Sequence, residues 1–331
     1  MFDPVWSLNG VTLSGRDHPR LDGVSLQISS GVTAVMGASG AGKSSLLRLL
    51  SEFEQPDGGS LEFERPKTPV SGTLPLFWSP QDHGLWPHLT VEQHVDYVLP
   101  ERPASGRSAS GRSATQWLEL FGLDQLRTSL PDSLSQGERS RLAVVRALAS
   151  EAAVLVLDEP LVHVDSLMAQ RCWRVIDEHI QRHCLTVVFS THDADAVLKY
   201  AQHVVCLDDG KVTFSDSVES LYNRPPSEEL AWLLGPCNWL LPSDIVNNDA
   251  APEDSGRDFC CVRPSRVELR RDAGGQFTVE SVLRAASTTE IRLGDRTSER
   301  KLDVFVSRLL GDIRTGGTVQ IIVDPIEPRT D

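Results

Sequence analysis

Gly37 to Ser45 reads GASGAGKSS, and the reading of the whole chain turns on it. The run Gly31-Val32-Thr33-Ala34-Val35-Met36 before it is strand-like, and Leu46-Leu47-Arg48-Leu49-Leu50 after it reads as helix. Strand, glycine-rich turn and helix with the pattern G-x-x-x-x-G-K-S make a phosphate-binding loop, or P-loop. Gly37, Gly40 and Gly42 let the main chain curl so that its N–H groups face one point. The candidate nucleotide-binding residues are therefore Gly37, Ala38, Ser39, Gly40, Ala41, Gly42, Lys43, Ser44 and Ser45. The helix starts where those groups converge, and its positive end favours an anion. Lys43 adds a full charge within reach of the terminal phosphates, and the Ser44 hydroxyl can hold Mg²⁺.

The totals bound the rest. A chain of 331 residues with 40% hydrophobic content can bury a core in one large and one small domain. Its formal charge of -14 opposes tight binding to a nucleic acid backbone. No apolar run approaches the roughly 18–20 residues of a membrane span. The start, MFDPVWSLNG, lacks the basic and apolar regions of a signal peptide. Most of the six cysteines lie in apolar stretches and none form C-x-x-C, so reduced, buried thiols are expected. The expectation is a soluble intracellular protein.

Outward from the loop, β-structure is expected before residue 30, and Leu46, Leu49, Leu50 and Phe53 give the following helix a buried stripe. Residues 88–150 become mainly helical, with ASGRSASGRS (104–113) as an exposed loop. Val154–Leu157 and Leu185–Phe189 are continuous apolar runs of the kind found in parallel strands covered on both faces. Asp209-Gly210 marks a hairpin. The alternation predicts an α/β domain over 1–235, whose ligands would lie at the carboxyl ends of its strands. A linker over 236–258 and a small all-β domain over 259–331 follow.

Four further pieces carry chemistry, three at strand ends and one at a helix start. Asp158-Glu159 closes one buried strand: the first carboxylate can hold Mg²⁺ and the second can polarise an attacking water. His192 ends a neighbouring strand, where an imidazole could touch a γ-phosphate. Gln81 follows a third, where its amide can bridge metal and water. Leu134-Ser135-Gln136-Gly137-Glu138 opens a helix, a second anion-binding end. That last stretch also fits an ordinary capping box, with Ser135 at the N-cap and Glu138 at N3.

In this order and spacing these residues resemble the ATP-binding subunits of ABC transporters. GASGAGKS is similar to Walker A, VLVLDEP to Walker B, LSQGE to the signature motif, Gln81 to the Q-loop, Asp165 to the D-loop aspartate and His192 to the switch histidine. SPQDHGLWPHLTVEQHV is similar to importer subunits, and LLGPCNWLLP with CVRPSRVEL resembles the join and opening of their C-terminal TOBE, or OB-like, domain. The resemblance implies a P-loop NTPase with a helical subdomain and a small β-domain, using ATP and Mg²⁺. Glu159, His192 and Gln81 would be catalytic, and Ser44, Gln81 and Asp158 would be metal ligands. Ser135, Gln136, Gly137 and Glu138 would act in trans within a homodimer or a pair of ATPase subunits. The implied partners are membrane permease subunits and an extracytoplasmic solute-binding protein, with no nucleic acid, and the implied place is the cytoplasmic face of the membrane.

The sequence departs from the family pattern at three places. Gly15 stands where an aromatic usually stacks on adenine, leaving His18 or Arg16 as substitutes. Gln136 replaces a glycine of the signature, and Leu161-Val162-His163-Val164 precedes Asp165. Arg263 and Arg266 are candidate anion contacts of the small domain, or a solvated strand face. The alternative function, a soluble ABC-type ATPase working on DNA or ribosomes, runs against the acidic charge and the importer-like C-terminal region.

Overall fold

The computed structural model describes residues 4–65, 74–100, 112–246, 259–285, 287–308 and 313–324. In chain order these begin with β1 (Pro4–Leu13), β2 (Leu21–Ser29), β3 (Val32–Met36), α1 (Lys43–Leu50), β4 (Gly58–Phe63) and β5 (Leu76–Ser79). Then come α2 (Val91–Asp96), α3 (Ala114–Leu120), α4 (Gln136–Ala149), β6 (Val154–Asp158), α5 (Ser166–His183), β7 (Thr186–Ser190) and α6 (Ala194–Tyr200). The hairpin β8 (His203–Asp208) and β9 (Lys211–Ser217) leads to α7 (Val218–Asn223) and α8 (Glu228–Leu233). The remainder is β10 (Asn238–Leu240), β11 (Cys260–Val262), β12 (Val267–Arg271), β13 (Phe277–Arg284), β14 (Thr289–Asp295), β15 (Lys301–Val306) and β16 (Thr318–Val323).

The chain divides into two compact units, Met1–Val218 and Glu219–Asp331. In the first, a six-stranded sheet runs β5-β6-β7-β3-β8-β9, and a three-stranded antiparallel sheet runs β2-β1-β4. The strands from β5 through β8 pair in parallel; β9 returns antiparallel through Asp209-Gly210, both at positive φ. Every residue of β3, β6 and β7 is buried, as their unbroken apolar runs require. Leu46, Leu47, Leu49 and Leu50 of α1 are fully covered, each worth about 2 kcal/mol by area. Phe53, expected in that stripe, is 71% exposed because the helix ends at Leu50; its ring instead lies against Trp78. The 104–113 loop expectation falls mostly outside the described residues.

The second unit is an all-antiparallel, OB-like β-domain: β12-β16-β13-β14-β15 in one sheet and β10-β11 in another. Residues 236–246, expected to begin a linker, instead carry β10 and a 3₁₀ turn at Pro242–Asp244. The Asp244 carboxylate is buried against the Arg300 guanidinium at 2.8 and 3.0 Å. Asn238 is buried too, donating to the Val262 and Phe305 carbonyls and accepting from the Phe305 N–H.

Arg263 fits neither of its two sequence readings, since it is 5% exposed. Its Nε donates to the Tyr222 carbonyl, and its Nη1 is shared by the carbonyls of Ala231, Gly235 and Pro236. The Tyr222 ring covers it at 4.2 Å. It is a fastener for residues 222–236. Arg266 donates to the Asp324 carbonyl.

Candidate active site

Parallel pairing aligns the strand ends that matter. Ser79 lies beside Leu157, Asp158 beside Ser190, and Ser190 beside Val35. The turn with Gln81, the Asp158-Glu159 pair, the His192 segment and the glycine loop therefore leave one end of four adjacent strands.

The glycine loop is shaped by its neighbours as well as by its own freedom. Gly37 sits at φ 144° and Gly42 at φ 106°, where other residues are strained. A Cβ on Gly37 would lie 2.2 Å from the Leu207 carbonyl oxygen, and one on Gly42 2.7 Å from that of Arg20. Lys43 Nζ folds back to donate to the carbonyls of Gly37 (2.8 Å) and Ala38 (2.9 Å). An ammonium has three N–H donors, so one is left for an anion. α1 opens on Gly42 with no side-chain cap and no acidic residue in its first turn. Its first N–H groups and its dipole are thus free to meet a phosphate.

On the adjacent strand, Ser190 holds the Asp158 carboxylate and the Glu159 main chain. Its hydroxyl donates to Asp158 Oδ1 at 2.5 Å, and its oxygen accepts the Glu159 N–H at 2.9 Å. Glu159 stands at φ 49°, a left-handed conformation that costs about 1–2 kcal/mol outside glycine. Gln81 Nε2 donates to Glu159 Oε2 at 3.1 Å, and His192 Nδ1 lies 3.8 Å from Oε1. The sequence had brought forward Gln81, Glu159 and His192 but gave Ser190 no role. A polar residue ending an otherwise apolar buried strand was the available signal.

The LSQGE stretch satisfies its structural reading. Ser135 caps α4, its N–H and hydroxyl both donating to Glu138 Oε2 (2.7 and 2.8 Å), while the Glu138 N–H donates back to the Ser135 hydroxyl. These bonds hold the Glu138 carboxyl below the usual carboxylate range. Gln136 is the first residue of that helix. Gly137 is needed for space: a Cβ would lie 2.8 Å from the His163 carbonyl oxygen. Asp165 caps α5 by accepting the Met168 N–H at 3.0 Å.

Gly15 also follows from a close approach, because a Cβ there would lie 2.1 Å from the His18 carbonyl oxygen. The surrounding loop is tied down by Arg20, which bonds Glu54 and the Ser14 carbonyl, and by Asp57, which accepts the Ser14 N–H. An aromatic side chain cannot stand at position 15 of this loop as it is folded.

The donors suit Mg²⁺ and a triphosphate. The Ser44 hydroxyl, the Gln81 amide oxygen and the Asp158 carboxylate are the hard oxygen ligands that this ion takes. Ser190 takes only Oδ1 of Asp158, leaving the other oxygen available. Lys43 and the uncapped α1 supply the complementary anion sites.

A phosphate loop, a strand-end carboxylate pair and a capped signature helix on one α/β sheet define a P-loop ATPase of the cassette type. The chain belongs to the ABC transporter family, as an ATP-binding subunit of importer type. The sequence profile of the family described as ABC transporter matches residues 21–162. A sulfate/thiosulfate import ATP-binding protein of Rhizobium meliloti is 32% identical over 295 residues, 83% of this chain and 80% of the relative. An Fe(3+) ions import ATP-binding protein of Brucella melitensis is 29% identical over 297 residues, 82% of each chain. The fold is also that of a solved dimeric ATP-binding cassette in a post-hydrolysis state bound to ADP and Pi. That structure has TM-score 0.55 and 24% identity, covering 64% of this chain and 98% of the other. The enzyme class is ATPase.

Proposed function

We propose that the chain is the ATP-hydrolysing subunit of an importer. It works as a homodimer, or beside a paired ATPase subunit, on separate membrane permease subunits fed by an extracytoplasmic solute-binding protein. The observation that carries this reading is the Glu159 carboxylate, bonded by Gln81 on one oxygen and faced by His192 on the other. A carboxylate so oriented can take a proton from an attacking water. Gln81 orients that water, His192 meets the γ-phosphate, and Lys43 with the N–H groups of residues 37–45 holds the triphosphate. Ser44, Gln81 and Asp158 would hold Mg²⁺, which would supply positive charge against the triphosphate.

Ser135 bonds within its own helix, and no hydrogen bond among the described residues ties its side chain to the glycine loop of the same chain. The reading therefore closes each nucleotide with Ser135, Gln136, Gly137 and Glu138 of a second copy, two sites in one two-fold interface. Nucleotide then stabilises the closed pair because it touches both halves only in that state. Bond cleavage removes the difference and the pair opens. No helix among the described residues is long and apolar enough to cross a membrane, in keeping with a subunit peripheral on the cytoplasmic face. The names of the relatives favour an oxyanion or iron solute over a polyamine or a sugar.

The test is Glu159→Gln in the purified chain. It should bind ATP and dimerise while turnover drops by about 10²–10³-fold. Turnover at the unsubstituted rate removes Glu159 from its role.

A further inference from the structure

The turn that presents Gln81 is gripped by α4 at two points. The turn itself is closed by the His83 N–H to the Pro80 carbonyl (2.9 Å), and His83 and Gly84 both stand at positive φ. At the start of α4, the Gln136 side chain stands against the His83 ring, which is buried. Ten residues along the same helix, Arg146 Nη1 donates to the carbonyls of His83 (3.2 Å) and Gly84 (2.8 Å). The two grips are about 15 Å apart along the helix axis. The Arg146 guanidinium is 7% exposed and lies under the Trp86 ring at 4.6 Å. Its cost of burial is recovered only through those carbonyls and rings, since its Nε has no partner among the described residues. Gln136 and His83 are thus neighbours only in the folded chain.

We infer that Arg146 and the His83–Gln136 pair are positioning residues, which make the Gln81 turn and the signature helix one rigid piece. α4 carries Ser135 at its tip. Seating that tip on a partner's nucleotide therefore fixes where the Gln81 amide lies against Glu159 in its own site. Losing a grip leaves phosphate binding by Lys43 and α1 intact but lets Gln81 wander from the carboxylate. The effect falls on turnover rather than on nucleotide affinity. The inference rests on the roles proposed above for Gln81 and Glu159.

The test uses the full chain and steady-state ATP hydrolysis. Arg146→Lys keeps the charge but shortens the reach to the two carbonyls and loses the planar group under Trp86. His83→Asn keeps a residue that tolerates positive φ but shortens the reach to Gln136. Each should lower kcat roughly five- to fiftyfold with KM for ATP within about twofold. In a Gln81→Ala background neither should lower kcat further, because both act through Gln81. If Arg146→Lys does not fold, His83→Asn decides alone. Unchanged kcat in a folded variant overturns the inference, and so does a loss that simply adds to that of Gln81→Ala. Should Gln81→Ala and Glu159→Gln themselves turn over normally, it is the underlying functional reading that has failed.

Discussion

Lys43 in the first unit and Arg263 in the second are both held by main-chain carbonyls, and they end in opposite roles. Lys43 donates to two carbonyls of its own loop, beside a helix start with no cap, and keeps a donor for an incoming anion. Arg263 donates to four carbonyls under an aromatic ring and is nine-tenths buried or more. A cation in a sequence signals an anion site only where the fold leaves it something to bind. The first unit organises its backbone around an opening, while the second uses the same chemistry to close one.

The sharpest contrast comes from deleting each cation. Lys43→Ala should cut ATP turnover by roughly 10²–10³-fold while the thermal midpoint of the nucleotide-free chain hardly moves. Arg263→Ala should do the reverse. It strands buried carbonyls and should destabilise the second unit by about 2–4 kcal/mol in urea, with near-normal hydrolysis by the first. If Arg263→Ala abolished hydrolysis at full stability, the contrast would be lost.

Acid should separate the units next. All nine histidines precede Lys211, so only the first unit contains any. Burial pushes His179 down to about 3, and burial also lowers His94 and His83. The unfolded chain binds these protons more readily, so the stabilisation is full above the ordinary histidine value. It is lost as pH falls from about 6.5 toward 3, on the order of 1 kcal/mol per pH unit for His179. Urea midpoints at pH 7 and pH 5 should fall for the first unit and hold for the second. Equal falls would point to carboxylates shared by both.

The smallest effect concerns the base. Gly15, pressed on the His18 carbonyl, offers no ring to a base, which should forgo about 1–3 kcal/mol of stacking. ATP and GTP should then compete within about tenfold of each other. A strong preference for ATP would give His18 or Arg16 a base-holding role.

Much of the first unit was legible because its signals are local. The unbroken apolar strands, the glycine loop and the strand-end acids each declare themselves within a few residues. Gln81, Glu159 and His192 could be brought forward from their order along the chain and their likeness to a family. What was hidden depends on contacts between distant segments. Gln136 read only as a departure from the signature pattern, yet it stands against His83 across 53 residues of chain. β14 does not declare itself in sequence, because its alternation, buried Thr289, Ile291 and Leu293 against Glu290 and Arg292, looks polar. Its charge is resolved across the ladder, where Arg292 faces Asp303 and bonds it at 2.7 Å. Arg263 was misread for the same reason, since its carbonyl partners lie up to 41 residues away.

The central claim is that each nucleotide is closed by the signature of a second chain. The direct measurement mixes two inactive variants, Lys43→Ala and Ser135→Arg, and follows ATP hydrolysis. Each alone should be silent, whereas the mixed dimer regains one site with its own Lys43 and an intact Ser135 from across the interface. The mixture should recover roughly a quarter of the normal rate if pairing is random. A mixture that stays silent although mixed dimers form, or full activity in Ser135→Arg alone, would contradict the account.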